Sequence, residues 1–442
     1  MSAYNGFSVD DRQLMLAMIT YALIASLIFS GIIAMPLTRY VSDMLYINKI
    51  KKIMPSMYGA LSLILPVGCV SYFIFLAASD LPLSIIVLNA LLFAELTTIW
   101  IMSNYLTAIR NYKGIAAAYI AALVSAVGAS YIIPRLLGER LEWYLLSICI
   151  GYGIQLLVML KLLYDFFPEG DNSTYDFTIW LKKYWRLIVI GLGNNIAVFA
   201  HIVLTWHSPI NLHLRGLFYT APDYDIPTLY AYLATLVTTI YFTTKAETDF
   251  YDKYDAYFSA LNYKGTISEV QTSHQEMIEI MWTDAVHGGV LQLLMSAAMM
   301  SVGLILFQGA QPGASMQMQV YFIMLSLGYG LYATGNMLML YSMYFADYKS
   351  GMIDIIVFAV SSTGFTWANI SYGSPDYYGT GFLAGCFLFL IISFVNLRRY
   401  TSDLTYEVLA KKPFISSAKK RKNASSKKLI KNIWKGKAFT KV

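Results

Sequence analysis

Three ionisable side chains lie well inside long apolar stretches of this 442-residue chain. Glu95 stands near the middle of one stretch, His201 lies within a second, and Asp354 lies near the end of a third. Such side chains are costly inside a membrane and therefore mark candidate pathways for a substrate or a proton. Amide side chains in the same kind of stretch extend the predicted translocation pathway to Asn89, Asn194, Asn195 and Asn336.

Each of these residues also has a purely structural interpretation. Glu95 could bind an exported sugar or take up a coupling proton, or it could be a protonated group in an interhelical hydrogen bond of about 1 kcal/mol. Hydrogen bonding between helices is the expected role of Asn194 and Asn195, and His201 fits either role. Asp354 could instead pair with Lys349 near the membrane surface.

Residues outside the apolar stretches offer little for catalysis. His213 with Asp223 and Asp225 is the only reactive-looking cluster, and its spacing is more typical of a turn before a helix. The chain has no phosphate-binding Gly-rich loop, and its three cysteines lack the spacing of a metal site. We therefore expect no enzyme activity, no cofactor and no bound metal.

The elements that must position these residues are membrane-spanning helices. Hydrophobic residues make up 57% of the chain, charged residues 13%, and the mean hydropathy is +0.54. A helix needs about 20 apolar residues to cross the hydrocarbon core of a bilayer. The sequence thus predicts an all-α polytopic bundle with eleven spans at 14–37, 54–78, 82–107, 114–134, 143–160, 187–206, 226–243, 288–307, 318–345, 351–371 and 379–397.

Positive charge predicts the orientation of these spans. Alternate loops and the end of the chain contain nearly all of the 32 Lys and Arg residues. The exceptions are Arg12, Arg135, Arg140 and Arg215. Because cytoplasmic loops collect basic residues, the chain is predicted to be a multi-pass protein of the cytoplasmic membrane with a cytoplasmic C-terminus.

A polar segment divides the spans into two lobes, five before it and six after it. We expect an N-terminal lobe at 1–163, a cytoplasmic linker at 164–186, a C-terminal lobe at 187–397 and a basic tail at 398–442. The tail has apolar residues on one helical face and is predicted to lie on anionic lipid. A disordered, solubilising tail is the alternative.

Residues 246–285 are predicted to form a cytoplasmic helical hairpin within the C-terminal lobe. Its first helix combines aromatic and acidic residues, and Thr266 with Glu269 has the pattern of a capping box that starts the second. An aromatic stripe outside the membrane suggests a partner surface. The residues predicted to dock a partner are Glu247, Phe250, Tyr254, Tyr257 and Phe258. Alternatively, the stripe rests on lipid headgroups or on the chain's own helix ends.

Two motifs resemble those of a known family. The longer motif begins at residues 224–232, YDIPTLYAY, and runs into residues 243–257, TTKAETDFYDKYDAY. The shorter motif is LTRYVSDMLY at residues 37–46. Together with the span pattern, they resemble the PelG-type membrane subunit of Pel exopolysaccharide systems, a relative of the polysaccharide and oligosaccharidyl-lipid flippases. The resemblance implies a fold of the MATE and flippase type, with two lobes around a central cleft. The family's first helix has no counterpart before Asp10, so we expect eleven spans in place of twelve.

The resemblance also implies a function and partners. We expect export or flipping of an amino-sugar exopolysaccharide across the cytoplasmic membrane, for a biofilm matrix. The implied partners are a cytoplasmic glycosyltransferase, other membrane subunits of a Pel-type complex and the polysaccharide itself. Nucleic acid is not an expected partner. Two alternatives stay open: an ion-coupled small-molecule exporter of the same superfamily, and a membrane-embedded glycosyl or acyl transferase.

Overall fold

The computed structural model describes residues 9–167, 170–171, 173–262, 265–309 and 316–405. The first half contains α1 (Val9–Tyr46), α2 (Ile53–Ala77), α3 (Leu83–Ala108), α4 (Tyr112–Leu137), α5 (Leu141–Phe166), α6 (Thr178–Lys183) and α7 (Trp185–Thr205). Two short strands follow, β1 (Leu212–Arg215) and β2 (Phe218–Thr220), which form a two-stranded sheet. The remaining helices are α8 (Pro222–Leu233), α9 (Thr235–Lys245), α10 (Tyr251–Asn262), α11 (Ile267–Gly309), α12 (Met316–Tyr344), α13 (Tyr348–Tyr372) and α14 (Gly379–Ser402).

The described residues include eleven helical segments long and apolar enough to cross a membrane, which confirms the predicted class and number. Several segments are longer than predicted. The segments Pro222–Asn262 and Ile267–Phe307 have 41 residues each. At about 1.5 Å per residue they are roughly twice as long as the hydrocarbon core is thick, so they must extend beyond it.

The chain divides into two compact units. One contains residues 9–195 together with His213–Phe218, and the other contains Ile196–Leu212 and residues 219–405. The change of unit falls within α7, and the predicted linker at 164–186 lies in the first unit. The arrangement of five and six spans in two lobes around a cleft remains a prediction.

In the first unit, the predicted linker is attached to the helices beside it. Asp43, in the last turns of α1, accepts a hydrogen bond of 2.8 Å from the Trp180 indole of α6 and pairs with Arg39 at 3.3 Å. Lys52 forms an ion pair with Asp176 just before α6. The motif at 37–46 therefore has a structural role, since Asp43, paired with Arg39 of its own helix, binds α6 to the end of α1.

In the second unit, α12 packs against α8, α11, α13 and α14. Two glycines of α12 allow α14 to approach closely. A Cβ at Gly328 would lie 3.0 Å from the Phe382 ring, and one at Gly335 would lie 2.9 Å from the Phe389 ring. A Cβ at either position would therefore require the facing phenylalanine ring to shift.

The hairpin continues from α9 and consists of a π-helical turn at Ala246–Phe250, α10 and the start of α11. The predicted capping box is confirmed, since Thr266 N–H donates to Glu269 at 2.8 Å and Glu269 N–H donates to Thr266 Oγ1 at 3.2 Å. An ion pair of 2.6 Å between Lys253 and Glu276 joins α10 to α11. The hairpin is thus closed by its own side chains.

The aromatic stripe of the hairpin is not the exposed surface that the sequence suggested. Phe250 and Tyr257 are fully buried, and Tyr254 and Phe258 are half-buried. Phe250 packs against Tyr341 at a ring distance of 5.2 Å, because the end of α12 extends alongside the hairpin. Phe250 and Tyr257 therefore pack within the chain, in line with the alternative of contact with its own helix ends. Docking of a partner on the half-buried Tyr254 and Phe258 remains a prediction.

Two predicted features lie partly outside the described residues. The side chain of Glu247 is one, and residues 406–442 of the basic tail are the other. The first residues of the tail are described. Leu404 is fully buried, and Thr405 Oγ1 lies 3.1 Å from the Tyr257 hydroxyl. The binding of the tail to anionic lipid remains a prediction.

Candidate translocation site

Glu95 lies on α3 with 8% of its surface exposed and faces α5 at a glycine. A Cβ at Gly153 would lie 3.4 Å from Glu95 Oε1, so the missing side chain leaves room beside the carboxylate. Glu95 Oε2 is buried and has no hydrogen-bond partner among the described residues. Buried polar atoms are usually paired, which makes this carboxylate the strongest functional candidate of the first unit.

Gln155 on α5 is a second buried polar group that sequence reasoning missed. It is fully buried, and neither amide atom makes a hydrogen bond of normal geometry within the described residues. The Tyr119 hydroxyl of α4 is near the amide. The position of Gln155 within a predicted span could have identified it, since a glutamine is as polar there as the asparagines. Glu95 and Gln155 together give α3 and α5 two under-bonded polar groups.

Asn89 has a structural role. Its side chain is fully buried, accepts a hydrogen bond of 2.7 Å from the Tyr72 hydroxyl and donates one of 3.2 Å to the carbonyl of Met18. These bonds connect α3 to α2 and α1. The amide is therefore committed to helix packing.

Asn195 connects α7 to α1. Its Nδ2 donates a hydrogen bond of 2.5 Å to the carbonyl of Leu27, close to Gly31. Interhelical hydrogen bonding is therefore the role the geometry favours for this residue. Its neighbour Asn194 is half-buried and also interacts with other residues.

His201 is fully buried in the second unit and contacts three other helices. Its Nδ1 lies 2.8 Å from the Tyr224 hydroxyl of α8, and its Nε2 lies 3.1 Å from the Tyr329 hydroxyl of α12. The ring packs against Phe382 of α14 at a centroid distance of 4.0 Å. In a neutral imidazole one nitrogen donates and the other accepts, so both nitrogens are satisfied. This geometry favours a structural role.

His213 and Asp225 of the predicted reactive cluster form hydrogen bonds with different groups. Asp225 accepts from the Trp206 indole at 3.0 Å, from the Thr220 hydroxyl at 2.9 Å and from the Ala221 N–H at 3.0 Å. His213 instead bonds the carbonyl of Gly216 at 2.9 Å. Asp225 thus stabilises the start of α8, as the turn interpretation expected.

Asp354 is fully buried on α13 and accepts a hydrogen bond of 2.6 Å from Asn396 of α14. The partner is therefore Asn396 and not Lys349, because the carboxylate points into the helix packing. Its second oxygen makes no hydrogen bond of normal geometry among the described residues, although the Ser393 hydroxyl is near. Asn336 is half-buried on α12.

Sequence reasoning also missed Asp284 and Gln292 of α11. Asp284 is 6% exposed, and its Oδ2 has no hydrogen-bond partner within the described residues. Gln292 is fully buried and bonds Thr238 of α9 and Ser296. Asp284 was missed because the span was predicted to begin only at residue 288. The candidate groups are thus spread over several helices in each unit.

Solved structures of transporters share this fold. The chain matches "Crystal structure of MATE in the straight conformation" with a TM-score of 0.55 and 12% identity, over 91% of this chain and 90% of that one. It matches the outward-facing conformation of a multidrug resistance MATE family transporter of the MOP superfamily with a TM-score of 0.53 and 11% identity, over 91% and 90%. The inward-facing conformation of a multidrug resistance MATE family transporter matches with a TM-score of 0.52 and 14% identity, over 90% of this chain and 92% of that one. Identities this low establish the fold alone.

The family follows from the sequence as a whole. No curated protein matches the chain. The model of one family, PelG, "Putative exopolysaccharide Exporter (EPS-E)", matches residues 1–409, which is most of the 442-residue chain and includes both motifs. The resemblance inferred from those motifs is confirmed: the chain is a multi-pass membrane protein that belongs to the PelG family of exopolysaccharide exporters.

Proposed function

We propose that this chain exports a Pel-type, amino-sugar exopolysaccharide across the cytoplasmic membrane and so supplies a biofilm matrix. The observation that carries the proposal is the match to the PelG family over residues 1–409 in a chain with a MATE-like fold. The polymer is passed on free or attached to a lipid. The C-terminus of the chain is cytoplasmic, as the basic loops predict.

Glu95 is the proposed pathway residue. A buried carboxylate oxygen without a partner is costly, so a group that can pair with it is bound favourably. Sugar hydroxyls, the ammonium group of an amino sugar and a proton all meet this requirement. The space left by Gly153 supports the entry of such a group next to Glu95.

The proposed partners act at the cytoplasmic side. A glycosyltransferase makes the polymer, and it and other membrane subunits dock on the hairpin. With the aromatic rings packed inside, the hairpin offers Asp252 and Asp255 on its outer face, both exposed. Opposite charges on the partner would orient such a contact.

One alternative is supported by a specific observation. The fold is shared with a multidrug resistance transporter, which favours ion-coupled export of small molecules as the second candidate. The transferase alternative finds less support, because Asp225 is fully engaged in hydrogen bonds at the start of α8.

The test is loss and restoration of the gene in the cell that carries it. We expect secreted polysaccharide to disappear while sensitivity to toxic small molecules stays the same, and the wild-type chain to restore secretion. Unchanged secretion with raised sensitivity to small molecules would overturn the proposal in favour of the second candidate.

A further inference from the structure

A groove of about 610 Å³ lies where the first turns of α3 and α5 meet. Its apolar wall includes Leu83 and Val87 of α3, which are 69% and 53% exposed. Its polar rim includes Arg140, Glu142 and Trp143 at the start of α5. The groove is thus apolar along a membrane helix and polar at the helix end.

Two hydrogen-bond donors in the groove lack an acceptor. The Arg140 side chain is exposed and forms no ion pair or hydrogen bond with any residue in the described part of the chain. The Trp143 indole nitrogen is buried, and it too has no partner there. The exposed guanidinium suits an anionic oxygen group such as a phosphate.

An acceptor stands beside these donors. Glu142 accepts a hydrogen bond of 3.4 Å from the Ser84 hydroxyl through Oε1. Its carboxylate can in addition accept from an ammonium group. The rim therefore offers donors for a negative group and an acceptor for a positive one within a single groove.

We propose that this groove binds a phospholipid with a phosphoethanolamine headgroup. Arg140 binds the phosphate, Glu142 binds the primary ammonium, and the acyl chains lie along Leu83 and Val87. A glycan segment would use the same polar groups, but the exposed aliphatic wall on a membrane-spanning helix fits acyl chains better. Arg140 sits at the helix end, where a basic side chain can reach the headgroup region.

The site has a consequence for Glu95. The groove joins the ends of α3 and α5, the same two helices that meet at Glu95 and Gly153. Glu95 lies eleven residues after Ser84, or roughly 16 Å along the helix at 1.5 Å per residue. A bound lipid therefore holds together the helix pair that forms the candidate pathway.

Lipid retention tests the proposal directly. The purified chain is loaded with phosphatidylethanolamine, phosphatidylcholine or phosphatidylglycerol of identical acyl chains, and bound lipids are counted by native mass spectrometry. The variants are Arg140→Gln and Glu142→Gln, and soluble glycerophosphoethanolamine serves as the headgroup alone. Arg135→Gln is the matched control, since Arg135 stacks on Tyr131 at 3.5 Å and does not line the groove.

We expect the wild type and Arg135→Gln to retain phosphatidylethanolamine in preference to the other two lipids. Each groove variant should retain it about three- to fivefold less well, the size of an exposed polar interaction. Soluble headgroup should not displace the lipid. Equal retention of all three lipids, unchanged retention in Arg140→Gln, or binding of an oligosaccharide in place of lipid would overturn the proposal.

Discussion

Buried polar side chains of this chain differ in whether their hydrogen bonds are complete. Asn89, Asn195 and His201 each bond a neighbouring helix, as residues that fix helix packing do. Glu95 and Gln155 are buried with unpaired atoms among the described residues. The sequence identifies polar residues inside spans, but only the neighbours supplied by other helices separate the two kinds.

His201→Phe tests the structural role of the histidine. The change keeps a ring but leaves the Tyr224 and Tyr329 hydroxyls without their partner, so we expect a loss of about 1–3 kcal/mol in stability. The measurement is thermal unfolding in detergent, with His207→Phe as control, because His207 is exposed and its Nδ1 lies 3.0 Å from the carbonyl of Val203. If His201→Phe unfolds like the wild type while export falls, the histidine belongs to the pathway.

At the scale of the elements, apolar patterns predicted the number of spans but not the full length of each helix. The eleven spans were predictable because each needs a run of apolar residues, whatever it packs against. The length of α11 was not, because Asp284 interrupts the apolar pattern while the helix continues. The burial of the hairpin's aromatic rings was not predictable either. Within its own segment Phe250 belongs to an aromatic stripe outside the span, and it is buried by contact with α12. Contacts between distant segments decide such cases.

Hairpin variants separate folding from partner binding. Phe250→Ser removes a fully buried ring and should cost about 3 kcal/mol or more, which lowers the abundance of the chain. Asp252→Asn with Asp255→Asn changes only exposed side chains and should keep the abundance while weakening co-purification of the glycosyltransferase. If the double variant retains the enzyme as the wild type does, its docking site lies elsewhere.

At the scale of the whole molecule, the orientation of the eleven spans rests on the distribution of basic residues. The fold itself does not depend on it, since either orientation has the same helix packing. Ser268 in the first turn of α11 and Ser374 after α13 are both exposed and belong to opposite predicted sides. A cysteine at either position therefore reports the orientation without affecting the stability of the chain.

Labelling of single cysteines tests this orientation. In a chain whose Cys69, Cys149 and Cys386 are replaced, Ser374→Cys should react with a membrane-impermeant maleimide in intact cells and Ser268→Cys should react only after lysis. The two sites serve as controls for each other. Labelling of Ser268→Cys in intact cells would reverse the orientation.

The most direct test of the central claim is passage of polymer in inverted membrane vesicles that contain the chain and its glycosyltransferase. Labelled sugar nucleotide is supplied outside, and polymer inside the vesicle is measured as the fraction protected from an added glycoside hydrolase. We predict protection with the wild type and with the exposed control Glu139→Gln, and synthesis without protection for Glu95→Gln at equal abundance. Protection by Glu95→Gln equal to that of the wild type would contradict the role assigned to Glu95, and unprotected polymer with the wild type would contradict export by this chain.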